Sequence, residues 1–271
     1  MSNLLSLYKE KGFIVLKGFW DKADIVKLRS EVKKTFALQI KRVLGVGVDI
    51  NDDPAFESAM YQFFEKDLQT FMNCGKQVQH LISLHRLGTD PSLVKQLQDL
   101  GLSFPVISVR PSMLFNSRYL AKKEEYWKLG SHQDWRSSQG SLDSVTVWFP
   151  LIDAGAEIGA LQVIPGTHKL GLLASENVSY YGKITADIRE EDYIQLEFQL
   201  GDVLLFNSFL VHRSGNNVTQ SIRWSVQLRY NNIEEPSFID RGFPNPFIYK
   251  PEPELITQGF PSKKQITDFF S

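Results

Sequence analysis

Apolar and polar positions along the chain change their period near residue 105, and that change is the first guide to the fold. Before it, apolar residues recur three to four apart. Ile25, Leu28, Val32 and Phe36 mark one face of a helix that Asp21 can cap; Phe56, Met60, Phe63, Phe64 and Leu68 mark a second. Asp53-Pro54 and Asp90-Pro91 each offer an N-cap followed by proline at the first helical position, and Gly75 and Gly101 are expected to stop the last two helices. Ahead of the first helix, Gly12-Phe-Ile-Val-Leu-Lys-Gly18 reads as a buried strand.

From Pro105 to about Ile233, short runs of Val, Ile, Leu and Phe alternate with Gly, Pro, Asn and Asp, predicting strands near 106–109, 112–116, 144–149, 160–164, 194–199, 202–206, 209–212 and 222–230. So many short strands imply a sandwich or jelly roll. The expected fold class is mainly β with flanking helices, built as a single domain over 1–271. In it, 1–104 supplies a strand and helical support, 105–233 the jelly-roll core, and 234–271 an extended, proline-rich tail along the surface. No internal repeat or low-complexity linker divides the chain.

Composition narrows the function classes. A chain of 271 residues with 42% hydrophobic content can bury a sizeable core. Thirty Lys plus Arg against 31 Asp plus Glu, for a formal charge of -1, argue against a basic nucleic-acid surface and favour a small-molecule partner. Cys74 is the sole cysteine, which excludes an intrachain disulfide and a cysteine-based metal cluster. Neither a signal-peptide pattern nor a long uncharged apolar stretch is legible, so the expectation is a soluble, cytoplasmic protein without membrane contact, whose Asn177 and Asn217 sequons stay unmodified. Oligomeric state is left open.

Candidate chemistry lies in His132-Gln133-Asp134 and in His212, which closes an apolar segment beginning at Val203. Two imidazoles and a carboxylate are the ligand set of a mononuclear non-haem iron site with open positions. On an extended segment, side chains at i and i+2 share a face, so His132 and Asp134 can reach one metal while Gln133 points away. Alone, His-x-Asp is a weak signal. Arg223 strengthens it, because a strand, turn and return strand after His212 is expected to bring a guanidinium back beside the histidine, where its planar fork can pair with a carboxylate. His80 and His85 lack the spacing of helical metal ligands, His168 follows a Pro-Gly turn and is expected to brace a loop, and Asp143, Asp153 and Asp202 sit at strand ends where aspartate serves turns.

Five ordered segments carry a resemblance: Ser131-His-Gln-Asp-Trp135, Val147-Trp-Phe-Pro-Leu151, Gly159-Ala-Leu-Gln-Val-Ile-Pro-Gly-Thr-His-Lys169, His212-Arg-Ser-Gly-Asn-Asn217 and Arg223. Together they resemble the phytanoyl-CoA dioxygenase family, Fe(II)- and 2-oxoglutarate-dependent oxygenases on a double-stranded β-helix. The resemblance implies His132, Asp134 and His212 as catalytic iron ligands, and Arg223, assisted by Ser214, as the partner of the distal carboxylate of 2-oxoglutarate. It also implies Trp148 as a wall of that pocket and Asn116 as a further polar contact. The lysine that some relatives carry after the aspartate is replaced here by Arg136, Ser137 and Ser138. Fe(II), 2-oxoglutarate and O2 are the implied cofactor and cosubstrates, and the presence of Asp134 favours hydroxylation or another oxidation over halogenation. Trp135, Arg136, Arg118 and Arg229 are candidate substrate contacts. No acyl-CoA signature such as an extended basic rim is legible. Two alternatives stay open: a cupin-type metal-dependent isomerase or oxoglutarate-independent dioxygenase, and a non-catalytic jelly-roll binding module.

Overall fold

The computed structural model describes residues 2–124, 127–178 and 181–244. Its centre is a pair of antiparallel sheets. The larger has the order β1-β8-β3-β10-β2, formed by β1 (Phe13–Leu16), β2 (Pro105–Asn116), β3 (Val145–Pro150), β8 (Val203–Asn207) and β10 (Arg223–Asn232). The smaller has the order β7-β4-β9, from β4 (Leu161–Val163), β7 (Ile194–Gln195) and β9 (His212–Ser214). The chain folds as a double-stranded β-helix, or jelly roll, with helices against the outer face of the larger sheet.

Strand parity explains this layering. On β3, Val145, Val147 and Phe149 join the core shared with the helices, whereas Trp148 joins the core between the sheets. On β10, Trp224, Val226, Leu228 and Tyr230 face the helices. The alternate residues Arg223, Ser225, Gln227 and Arg229 therefore face inward, so the polar side of this strand lines the interior. A strand covered on both faces has no solvent side, and every residue of β3 is buried.

The helices form where apolar spacing and caps agree. Helix α2 (Lys22–Leu44) begins at Asp21, whose side chain accepts from Ala23 N at 2.8 Å, and ends at Gly45 with φ 77°. Its stripe of Ile25, Leu28, Val32, Phe36 and Ile40 is wholly buried, and fully burying side chains of this kind is worth about 1.5–3 kcal/mol each. Helix α3 (Asp53–Lys66) is capped by Asp52, one residue before the expected cap. Asp53 is thereby released to pair with Arg29 and Lys33. Leu68 opens α4 (Leu68–Gln77), separated from α3 by the cap Asp67, and α4 runs through Gly75 without stopping. Helix α5 (Ile82–Gly88) carries His85, where a helix is expected, with His80 in a separate 3-10 turn before it; the N-terminal α1 (Ser2–Lys11) went unread in the sequence, since it spans too few turns for its period to stand out. Helix α6 (Pro91–Asp99) starts at Asp90 as expected.

Other expectations change, the strand expected over 194–199 shortening to β7. The runs 106–109 and 112–116 are one strand, and the segment expected as a strand over 209–212 is a buried turn, with Leu210 N bonded to Asn207 O at 2.8 Å, before β9 begins at His212. A hairpin of β5 (Ser175–Val178) and β6 (Tyr181–Ile184) was missed, because its polar sequence gives little apolar alternation. The tail opens with a helical turn, α8 (Pro236–Asp240), capped by Glu235; the rest of the expected extended tail, 245–271, lies outside the described residues. No helix among the described residues is long and apolar enough to cross a membrane.

Candidate metal centre and cosubstrate pocket

Between the sheets lies a cavity of about 290 Å³ lined by His132, Asp134, His212, Trp148, Ser214, Arg223, Asn116, Gln227 and Arg229, with Leu129, Leu161 and Tyr181 among its apolar walls. The two histidines converge through backbone pairing. His132 N donates to His212 O at 3.0 Å and His212 N to His132 O at 3.2 Å, an antiparallel pair that extends the smaller sheet and sets both imidazoles on one face. Asp134 arrives differently. It has helical φ and ψ of -65° and -31° and precedes the single turn α7 (Trp135–Ser138), so a change of backbone direction, rather than strand alternation, brings it to the histidines. Gln133 does point away, donating to Gly171 O and Phe209 O and accepting from Leu173 N.

Each imidazole is fixed in one tautomer. His132 Nδ1 lies 2.7 Å from Gly130 O and His212 Nδ1 lies 3.0 Å from Leu210 O; a carbonyl only accepts, so Nδ1 carries the proton and Nε2 offers a lone pair. Burial, with His212 alongside, pushes His132 down to about 3, and burial lowers His212 too, so both are neutral at ordinary pH. Burial would raise the Asp134 carboxyl, but the Arg229 guanidinium bonded to it holds it well below the usual carboxylate range. Its Oδ1 lies 3.7 Å from His132 Nε2 and 3.8 Å from His212 Nε2. Three acceptor atoms thus meet with no proton to share, all within 4.8 Å of one another and all buried. Lone pairs converging in a low-dielectric interior repel unless a cation joins them, and this donor set fits an iron site of two histidines and one carboxylate.

The second half of the cavity asks for an anion. Arg223 is buried, and among the described residues it has no carboxylate partner; Nη1 donates to Gly159 O, while Nε is buried without a partner. Burial pushes its guanidinium down only to about 10, so it remains a cation at neutral pH. Asn116 Oδ1 and Trp148 Nε1 are likewise buried and unpartnered, and Asn116 is the cross-strand neighbour of Arg223. Trp148 places its ring 5.8 Å from the guanidinium. Arg223 reaches this place from the larger sheet and His212 from the smaller, so they oppose each other across the sandwich and are not neighbours on a hairpin as expected. The connection from 215 to 222 changes sheets.

The remaining candidates disperse. Arg229 enters the cavity but bonds Asp134. Trp135 stacks on Phe209 and donates to Ser141 O, Arg136 donates to Leu173 O, and Arg118 is exposed beside Tyr119. None of these three lines the cavity. His168 ties its loop to Lys9 O, and His80 stacks on His85 away from the centre. Sequence reasoning missed Thr146, Gln227 and Tyr181. The signal for Gln227 was present in the polar alternation Arg223, Ser225, Gln227, Arg229; Tyr181 rides on the unread hairpin, its ring 5.5 Å from that of His132.

Comparison with known proteins agrees with this geometry. Residues 8–225 match the phytanoyl-CoA dioxygenase family. Human peroxisomal phytanoyl-CoA dioxygenase is 25% identical over 242 residues, covering 84% of this chain and 69% of that protein. Among solved structures, an apo non-haem monooxygenase, ThoJ, has TM-score 0.58 at 18% identity over 84% of this chain and 77% of its own. The epimerase SnoN from nogalamycin biosynthesis, solved with Fe3+, α-ketoglutarate and a nogalamycin compound, has TM-score 0.54 at 16% identity, covering 85% and 83%. These two likenesses establish the fold.

Proposed function

The chain belongs to the phytanoyl-CoA dioxygenase family, and from that premise we propose that it is an Fe(II)- and 2-oxoglutarate-dependent dioxygenase that hydroxylates or otherwise oxidises a small to medium metabolite, releasing succinate and CO2. The observation that carries the cosubstrate is Arg223, a buried cation that among the described residues lacks a carboxylate partner, in the same cavity as three converging metal-ligand atoms. Leaving a buried charge unpaired costs about 3–5 kcal/mol, so a dicarboxylate with one end at the metal and the other at Arg223 resolves two local deficits together.

His132, Asp134 and His212 would hold the iron, which when bound supplies the oxidising chemistry by activating O2 with the oxo acid. The chain's own groups position and protect. The fixed tautomers aim both Nε2 lone pairs at one point. Arg223 offers Nε to the far carboxylate, and Trp148 Nε1 and Asn116 face the same pocket. Trp148, Leu161, Leu129 and Tyr181 limit the water that shares the cavity, which strengthens each polar contact inside it.

Succinate formation is expected to require both Fe(II) and 2-oxoglutarate, and anaerobic addition of the pair should give a weak visible charge-transfer band. Full iron occupancy after replacing both His132 and Asp134 by alanine would refute the assignment.

A further inference from the structure

Asp134 is bonded unevenly. Oδ2 accepts from Thr146 Oγ1 at 2.9 Å, from Gln227 Nε2 at 2.7 Å and from Arg229 Nε at 3.3 Å, whereas Oδ1, among the described residues, receives only Arg229 Nη2, at 3.2 Å, and is the oxygen that faces both histidines. A carboxylate oxygen has about two good lone-pair directions. Those of Oδ2 are already occupied.

We propose that Thr146, Gln227 and Arg229 form a positioning cradle that withholds Oδ2 and presents Asp134 to the metal through Oδ1 alone. This rests on the proposed iron site. A carboxylate free to bind through both oxygens would take a second coordination position, one that the oxo acid or O2 needs. Holding one oxygen back keeps that position open.

The cradle is one continuous patch of the larger sheet. Arg229 and Thr146 are directly opposed on β10 and β3, and Gln227, two residues before Arg229, shares its face. Gln227 Oε1 accepts from Arg229 Nη2 at 2.8 Å, so the amide is oriented with its Nε2 toward Asp134. The pairing of β10 with β2 is irregular on both sides of Arg229. Such irregularities re-aim a side chain, here a guanidinium turned onto the carboxylate from the sheet's inner face. All three groups are held by a strand pair covered on both sides, so the sheet fixes from one side a carboxylate that stands outside any strand.

The test compares Thr146→Val, Gln227→Met, the double variant and Thr146→Ser, each checked for wild-type far-UV circular dichroism and measured well below its melting temperature. Metal affinity is read from the visible bands of Co(II) bound in place of Fe(II). Oxoglutarate affinity is read from the anaerobic Fe(II) charge-transfer band. Loss of a group that orients a metal ligand lowers metal affinity by about 10–100-fold, and that loss is expected in the double variant, with weaker oxoglutarate binding and near-complete recovery in Thr146→Ser. A double variant that loses thermal stability yet keeps metal and oxoglutarate affinities within twofold of wild type overturns the cradle. If wild-type protein itself takes up no divalent metal, the iron-site reading fails instead, and the two failures are told apart.

Discussion

His132 and His212 exchange both of their backbone hydrogen bonds, at 3.0 and 3.2 Å, and their rings lie 4.2 Å apart between centroids. Backbone pairing, rather than any contact between the imidazoles, therefore brings together the two histidines of the proposed metal site. It follows that the site exists before metal arrives and that removing an imidazole leaves the pairing in place. His132→Ala is expected to melt within a few degrees of metal-free wild type. Divalent metal at 100 times its Kd should stabilise wild type by about 2.7 kcal/mol, or roughly 5–10 °C for a chain of this size, and should not shift the variant. Thermal melts with and without Mn(II) measure both.

Arg223→Met should separate cosubstrate binding from metal binding. Truncating one partner of a buried charge pair costs about 2–5 kcal/mol, or roughly 30- to 5,000-fold in affinity. The oxoglutarate concentration that half-saturates the charge-transfer band should rise by at least that lower factor while metal content stays unchanged. Without ligands the variant is expected to be more stable than wild type, since it no longer buries a cation that lacks a carboxylate partner among the described residues.

Gly159 holds a backbone that only glycine tolerates: its φ is 76°, and a Cβ there would lie 2.8 Å from both Asn217 N and Gly215 O. Its carbonyl also accepts from Arg223. Gly159→Ala should destabilise the fold by about 1–3 kcal/mol in urea unfolding. It should also weaken oxoglutarate binding, whereas a substitution at Gly47, which has open space around it, should do neither.

Glu57 gives a pH-dependent outcome away from the site. Burial raises its carboxyl above the usual range, although Trp224 Nε1 donates to it at 3.2 Å. The folded state therefore keeps this proton to higher pH than the unfolded chain, so the group's stability is present below about pH 4.5 and is lost as pH rises through its folded value. Glu57→Gln retains an acceptor for Trp224 and removes the charge. It should raise the melting temperature at pH 7 by about 2–4 °C for each kcal/mol recovered, and the gain should vanish near pH 4. A gain independent of pH would mean that the ionised carboxylate is not its source.

Much of this was legible in residues. Asp21 and Asp90 capped helices as read, the apolar stripe of α2 was buried at every expected position, and the strand-rich middle gave the jelly roll. The same reasoning mistook 209–212 for a strand, because a buried turn and a buried strand are equally apolar. It placed Arg223 on a hairpin with His212, because nothing local records that a chain has crossed from one sheet to the other.

The sequence by itself determined the donor types at the metal, the order in which they occur, and the polar alternation along β10 that marks an inward face. Tertiary structure decided what that face meets. Thr146, Gln227 and Arg229 lie 12, 93 and 95 residues from Asp134, and only the closing of the sheets brings them onto one carboxylate oxygen. Periodicity reports the side to which a residue points, since backbone geometry is local. The group that awaits it is set by long-range packing, and so is the choice of oxygen that Asp134 offers.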